Sequence, residues 1–294
     1  MLGYTQEELA DFRDYYPAVK SKYSEIYTDI DKAIKEWYNG YSWNGTDYVY
    51  NPFSILSFFK NRQFENYWFA TGTPTFLMKL IRERNYNIPE LANIEILRLA
   101  LDKFNIDKPE IIPLLFQTGY LTIKKSLLNE ILHLGFPNKE VDNAFNIHLL
   151  AELNEAGIDN TSIVLLKMAR LLKEGKPDDF INLLIGIFSG IAYENIEPKE
   201  NYFHSLFYLV VKLLGYIIES EIQTSDGRID AVVWTDNFRY IIEFKMGKAK
   251  EAMQQISEKL YHLKYTTDIK KIFLLGIGFD AVKKQVNDWI IEEI

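Results

Sequence analysis

The fold of the C-terminal part of this chain is decided by residues 227–246, which read GRIDAVVWTDNFRYIIEFKM. Two runs rich in β-branched and aromatic residues, Arg228–Trp234 and residues 240–246, flank a polar turn signal at residues 235–237. Such runs separated by a short polar segment are typical of an antiparallel hairpin. We therefore expect two neighbouring strands here.

Three charged residues stand inside these apolar runs. Asp230 lies in the first run, and Glu243 and Lys245 lie two residues apart in the second. Because strand side chains alternate between faces, Glu243 and Lys245 are expected on one face, with Asp230 near them across the hairpin. Burying a single charge is costly unless a partner, a metal or water compensates for it. The pattern predicts two carboxylates facing one lysine.

This combination suits phosphodiester hydrolysis. Carboxylate oxygens are the ligands that Mg²⁺ prefers, and a bound metal neutralises phosphate charge and acidifies a water. Lys245 could orient or help deprotonate that water, or stabilise the transition state. Gln255, in the helix that follows, could orient the water or a phosphate oxygen. Taken alone, Glu-x-Lys in an apolar strand is more often a plain ion pair, so the prediction rests on the combination.

The elements around the hairpin predict an α/β unit over residues 195–294, and together with the mostly helical residues 1–194 they place the chain in the α+β or α/β class. Helical periodicity and the shift to alternating apolar residues give the order α-β-β-β-α-β-α, within ordinary domain size. The further predicted elements are a helix at 198–214, a strand at 216–223, a helix at 248–265, a strand at 271–276 and a closing helix from Asp280.

Residues 1–194 read as a mostly helical region. Thr5 and Glu8 have the spacing of a capping box, residues 23–37 follow one helical period, and Pro52 suits the first turn of a helix. Further predictions are a helix at 75–84, a helix end followed by a strand at 116–123, and helices across 140–192 with breaks near 157 and 175–177.

Composition narrows the function classes. The 294 residues are 48% hydrophobic and 25% charged, which is ordinary for a globular protein of two domains. The chain has no cysteine, which excludes disulfides, thiolate metal sites and cysteine nucleophiles. Its net charge of −8 argues against a protein that coats nucleic acid by bulk positive charge. With neither a signal peptide nor a membrane-length apolar run, we expect a soluble cytoplasmic protein without membrane contact.

Asp230, followed by Glu243-Phe244-Lys245, resembles the D…ExK signature of the PD-(D/E)XK nuclease superfamily, and the α-β-β-β-α-β order agrees with that family's core. More narrowly, four segments resemble the C-terminal nuclease-like domain of bacterial AAA-ATPase-like proteins, namely 200–206, 227–230, 242–245 and 255–256. Five earlier segments resemble the end of the ATPase-like region of such proteins, namely 38–41, 50–54, 67–68, 117–122 and 137–141.

The resemblance implies roles for individual residues. Asp230 and Glu243 match the metal-binding acids, Lys245 the motif lysine and Gln255 the helix glutamine. Glu221 and Glu200 are candidate extra acids for Mg²⁺ or Mn²⁺, with an exposed strand residue and a solvated carboxylate at a helix N-terminus as the plainer readings. His204, among apolar helix residues, fits a packed core histidine better than a ligand.

One expected motif is missing. A phosphate loop reads G-x-x-x-x-G-K-[ST], but Gly175-Lys176 is followed by Pro177 and Gly247-Lys248 by Ala249. We therefore expect no ATPase activity from this chain alone, a start after the nucleotide-binding core, and a helical, winged-helix-like scaffold over residues 1–194.

The expected function is that of a Mg²⁺-dependent nuclease acting on nucleic acid, with DNA as the first expectation. A catalytically inactive nuclease fold that serves as an interaction or regulatory module is the alternative, since no basic stripe with interleaved aromatics marks a nucleic-acid groove. An ATPase-like partner, or an N-terminal ATPase core missing from this chain, would complete the assembly. DNA against RNA and the oligomeric state stay open.

Overall fold

The computed structural model describes residues 3–69, 75–84, 86–101, 110–128, 130–189, 200–215, 219–225, 228–258, 271–280 and 285–294. These residues form two compact units. Unit 1 comprises Met1–Thr75 and Glu90–Phe145, and unit 2 comprises Phe76–Pro89 and Asn146–Ile294. The predicted boundary between residues 194 and 195 lies outside the described residues and stays a prediction.

The described residues form both helices and strands, which confirms the predicted mixed fold class with a largely helical N-terminal part. The helices are α1 Tyr16–Tyr23, α2 Ile30–Tyr38, α3 Pro52–Asn61, α4 Thr75–Glu83, α5 Arg98–Leu101, α6 Ile111–Gln117, α7 Lys139–Leu153, α8 Ile158–Lys173, α9 Pro177–Ser189, α10 Glu200–Leu214 and α11 Ala249–Glu258, with 3₁₀ helices at Glu8–Tyr15 and Ile88–Ala92. The strands are β1 Ile94–Leu97, β2 Thr122–Leu127, β3 Ile131–Gly135, β4 Glu219–Ser225, β5 Arg228–Trp234, β6 Phe238–Met246, β7 Lys271–Asp280 and β8 Gln285–Glu293. No helix in the described ranges has the length and apolar character needed to cross a membrane.

Two helices of unit 1 begin at the start signals that the sequence predicts. The Thr5 backbone N–H donates to Glu8 Oε2 at 2.7 Å, and the Glu8 N–H donates to Thr5 Oγ1 at 3.3 Å, which confirms the capping box. Asn51 caps α3 by accepting from the backbone N–H groups of Phe53 and Ser54, with Pro52 in the first turn.

The single helix predicted over residues 23–37 is wrong. Helix α1 ends at Tyr23 and α2 begins at Ile30, where the Asp29 side chain accepts from the Lys32 N–H at 3.0 Å. An Asp at this position favours a helix start over a helix interior, because its side chain satisfies a free N–H group of the first turn. Ile26, which completed the apparent period, is 68% exposed and does not face the core.

Aromatic rings dominate the core of unit 1, as their number in the sequence suggests. Tyr38, Phe58 and Phe59 are buried, and Phe64 packs against Phe58 with ring centroids 4.7 Å apart. Unit 1 also contains a small antiparallel sheet in the order β1-β3-β2, in which β2 and β3 form the hairpin after α6.

Unit 2 contains a five-stranded mixed sheet in the order β4-β5-β6-β7-β8. Strands β6 and β7 are parallel and are joined through α11, whereas the other neighbours are antiparallel. On one face of β6, Phe244 lies between Phe188 of α9 and Phe207 of α10, with centroids 5.7 and 4.8 Å away. On the other face, Ile241 packs against Met253 and Ile256 of α11. The two helical layers therefore enclose the strand that carries the motif.

The closing helix predicted from Asp280 is wrong. Residues 285–293 form strand β8, which pairs with β7 and buries Val286. Strand β7 is buried along most of its length, so its backbone groups need a neighbouring strand, and this tertiary demand outweighs the weak local pattern of an acidic segment. Residues 259–265 of the helix predicted at 248–265 lie outside the described residues.

Candidate active site

The hairpin β5–β6 sets the positions of the predicted site residues. In its antiparallel register Asp230 lies directly opposite Glu243, and Arg228 lies opposite Lys245. Residues that face each other across an antiparallel pair belong to the same face of the sheet. The backbone therefore places positions 230, 243 and 245 on one face. The side chain of Asp230 is outside the described part of the chain, so the predicted approach of the two carboxylates stays a prediction.

Glu243 is a buried acid, with 1% of its surface exposed. Its parallel neighbour on β7 is Gly276, and it lies between the buried residues Ile242 and Phe244. A buried carboxylate is tolerated only where cations or hydrogen-bond donors compensate for the lost hydration. The structure thus holds an acid at a position where cations or hydrogen-bond donors must compensate for its charge.

Lys245 lies at the end of β6, where the chain turns into α11. Its Nζ is 3.7 Å from Glu251 Oε2, and its side chain is 29% exposed. Between them Gly247 has φ +138°, a conformation that favours glycine, and a Cβ there would lie 3.1 Å from the Glu251 carboxylate oxygen. Glycine therefore permits the sharp turn that brings α11 back over the lysine.

Two glycines of β7 let α11 approach the sheet closely. A Cβ on Gly276 would lie 2.6 Å from Met253 Cγ, and one on Gly278 would lie 2.6 Å from the Ala249 nitrogen. The Asp288 carboxylate accepts from the same Ala249 N–H at 3.0 Å. Because Gly276 and Gly278 are the register partners of Glu243 and Lys245, the start of α11 is fixed directly beside the motif strand.

Gln255 lies one helical turn after Glu251 and is partly buried. Four residues of helix rise about 6 Å, and two residues of strand span about 6.6 Å. Helix α11 connects the parallel strands β6 and β7, so it runs in the opposite direction to β6. Moving from Glu251 to Gln255 along α11 therefore corresponds to moving from Lys245 back to Glu243 along β6. From this spacing we expect Gln255 to lie level with Glu243.

Sequence reasoning had missed Glu251, Gly276, Gly278 and Asp288. The signal for the glycines was present, because G-x-G inside an apolar strand marks a close approach of another backbone.

The remaining predicted ligands are placed only by their backbone. Glu221 pairs with Val232, two residues from Asp230, so the register puts position 221 on the face of position 230. Glu200 is the first residue of α10, and His204 lies within that helix. The side chains of these residues are not described. Among the described side chains, no group of three or more His, Asp or Glu could hold a metal ion, and the predicted metal set stays untested.

Comparison with known families decides what kind of domain this is. Residues 198–289 match the model of the PD-(D/E)XK nuclease superfamily. The chain carries a PD-(D/E)XK nuclease superfamily domain. The match runs from α10 into β8 and takes in the hairpin and α11. The resemblance inferred from Asp230, Glu243 and Lys245 is confirmed at the level of the superfamily.

A relative is similar over nearly the whole chain. It is the "Uncharacterized protein in vnfD 5'region" of Azotobacter chroococcum mcd 1, which is 33% identical over 307 aligned positions that include 94% of this chain. The chain spans about 58% of the length of that relative. No solved structure matches the chain.

Outside the nuclease superfamily domain, a second buried acid organises unit 1. Glu140, in the first turn of α7, is fully buried, and its Oε1 accepts from Ser54 Oγ at 3.0 Å and from the Trp68 N–H at 2.8 Å. Burial raises the pKa of this carboxyl group to about 7, against the opposing effect of its hydrogen bonds.

Three of the five segments that resemble the ATPase-like region, 50–54, 67–68 and 137–141, meet at Glu140. Ser54 and Trp68 bind it directly. Gly40, with φ +116°, lies against the Pro137 carbonyl. Two residues later, the Ser42 N–H donates to Thr122 Oγ1 at 2.7 Å. Glu140, which joins three of these segments, was not predicted as a site residue from the sequence.

Proposed function

We propose that this protein is a metal-dependent phosphodiesterase that cuts nucleic acid through Asp230, Glu243 and Lys245. The observation that carries the proposal is the β5–β6 register, which sets Asp230 opposite a buried Glu243 with Lys245 on the same face. This arrangement lies inside the segment that matches the nuclease superfamily.

The donor set fits a divalent cation. Glu243 is a buried acid opposite Asp230 in the register, and carboxylate oxygens suit Mg²⁺ or Mn²⁺. Asp230 and Glu243 would hold the ion, with Glu221 and Glu200 as candidate further ligands. When bound, the ion would supply charge neutralisation at the phosphate and a more acidic water.

The other residues of the site have separate tasks. The Lys245 ammonium group, half-buried at the end of β6, binds a phosphate oxygen or orients the attacking water, and its charge stabilises the transition state. The Gln255 amide, level with Glu243, orients the same water or a second phosphate oxygen. Gly276 and Gly278 let α11 lie close enough for this.

The substrate class follows from the superfamily, with DNA proposed ahead of RNA. The net charge of −8 means that contact with nucleic acid is local to the site. We also propose a cytoplasmic location, and an ATPase-like domain or partner beside this chain, because five segments of residues 1–194 resemble the end of an ATPase-like region.

A second candidate is a catalytically inactive interaction module. The observation that favours it is the ion pair of Lys245 with Glu251, which neutralises the cation of the site.

A cleavage assay separates the two functions. The purified chain is incubated with single-stranded DNA, duplex DNA and RNA in Mg²⁺, Mn²⁺ or EDTA, beside Asp230→Asn, Lys245→Met and the control Asp236→Asn, which changes an exposed acid of the hairpin turn. We expect metal-dependent cutting by the parent and the control. Asp230→Asn should lose metal binding in calorimetry, whereas Lys245→Met should keep it and lose turnover. A parent that binds no divalent metal and cuts none of the substrates would favour the interaction module.

A further inference from the structure

The partner of Lys245 in this structure is a carboxylate that the superfamily motif does not include. Glu251 Oε2 lies 3.7 Å from Lys245 Nζ, and the two side chains are 52% and 29% exposed. This separation is longer than a hydrogen bond, and ion pairs of such exposure are weak. The contact can therefore be exchanged for another anion at little energetic expense.

The two members of the pair differ in freedom. Glu251 stands on the first turn of α11, against Gly247, and the start of that helix is fixed by Gly276, Gly278 and the Asp288 cap. Lys245 carries its ammonium group on a flexible four-carbon stem. The backbone of Glu251 is therefore held in place, and the ammonium group of Lys245 stands on the longer and more flexible side chain.

A phosphodiester offers the ammonium group the same kind of partner, an anionic oxygen. A phosphate that approaches Lys245 must replace the contact with Glu251 and is repelled by the Glu251 charge. The positive end of the α11 dipole stabilises the negative charge of Glu251 when no phosphate is bound. Both effects weaken the binding of substrate before any bond is broken.

We propose that Glu251 is the resting counter-ion of Lys245, which an incoming phosphate displaces, and that it thereby sets the affinity for nucleic acid. The inference rests on the proposed function in one respect, namely that the ligand of Lys245 is a phosphodiester. It assigns to Glu251 an effect on KM rather than on kcat.

Binding and cleavage are measured separately. Fluorescence anisotropy in EDTA gives the affinity of the full chain for a labelled single-stranded DNA, the matching duplex and an RNA of the same sequence, and steady-state kinetics in Mn²⁺ give kcat and KM. The variants are Glu251→Gln, Lys245→Met and the double variant. Glu258→Gln is the matched control, because it removes the same charge from an exposed position about 10 Å further along α11. Thermal unfolding checks that each variant is folded.

We expect Glu251→Gln to tighten binding about two- to fivefold, the range that a weak surface ion pair allows, and to lower KM by a similar factor. The gain in affinity should vanish in the Lys245→Met background, and Glu258→Gln should raise the affinity by a smaller factor than Glu251→Gln. Unchanged or weaker binding by Glu251→Gln, or an equal gain in Glu258→Gln or in the double variant, would overturn the inference. A parent that binds DNA without cutting it would refute the proposed activity alone, whereas a parent that binds none of the three probes would refute both.

Discussion

Replacing Glu140 by Gln should stabilise unit 1 at neutral and alkaline pH. The substitution keeps the shape of the side chain and an oxygen that accepts from Ser54 and Trp68, but it removes a charge from a fully buried position. Burial raises the pKa of this carboxyl group from 4.5 to about 7. The ionised carboxylate is therefore less favourable in the folded chain than in the unfolded chain.

The size and the sign of the effect follow from that difference in pKa. Each pKa unit corresponds to about 1.4 kcal/mol, so the full effect is about 3 kcal/mol. Below about pH 4.5 the carboxyl group is protonated in both states and contributes no penalty. Between about pH 4.5 and 7 the unfolded chain ionises first, so the stability of the parent falls as pH rises, and above about pH 7 the penalty is constant.

Guanidinium unfolding at a series of pH values, followed by tryptophan fluorescence and far-UV circular dichroism, tests this reasoning. The gain of Glu140→Gln over the parent should be small near pH 5 and reach about 3 kcal/mol at pH 8. Glu130→Gln, which changes an exposed acid of the same unit, serves as the control and should show no such dependence. A difference that is independent of pH, or a variant less stable than the parent at pH 8, would refute the argument.

Two further predictions concern the nuclease domain and the missing phosphate loop. Gly278→Ala should destabilise unit 2 by about 1 to 3 kcal/mol and reduce cleavage, because its Cβ would meet Asp288 and the backbone at the start of α11. Gly186→Ala is the control and should be neutral or stabilising, because a Cβ there meets nothing within 4 Å. An equal response of both variants in thermal unfolding would contradict this prediction. The purified chain should neither bind nor hydrolyse ATP, because it encodes no Gly-rich loop to hold the phosphates, and turnover that copurifies with the chain through successive columns would show otherwise.

The parts of the fold that could be predicted are those with strong local signals. The bounds of β5 match the prediction, and α3, α10 and the capping box at Thr5 begin close to where their sequence signals stand. In these segments the apolar period, the capping residues and the tertiary environment agree, so the local reading is sufficient.

Long-range packing explains the failures. Strand β8 forms because the backbone groups of β7 require a hydrogen-bonding neighbour. The local sequence of residues 285–293 does not indicate this requirement. The Asp29 cap divides the helix predicted over 23–37, although the apolar period continues through it.

The candidate site was predictable only in part for the same reason. The pairing of Asp230 with Glu243 followed from a short hairpin. The contact of Glu251 with Lys245 depends on a turn at Gly247 and on the close packing of α11 against β7. Gly276 and Gly278 signal that another backbone approaches the strand, but they do not tell which residue of α11 lies beside Lys245.

The central claim, a divalent metal held between β5 and β6, can be tested by cutting the protein at the site. Fe²⁺ substitutes for Mg²⁺ at carboxylate sites, and with ascorbate and peroxide it generates hydroxyl radicals that break the nearest backbone. We predict peptide cleavage close to Asp230 and Glu243, suppressed by excess Mg²⁺ and absent in Asp230→Asn. Cleavage elsewhere, or cleavage at these strands that Mg²⁺ and Asp230→Asn leave unchanged, would contradict the account.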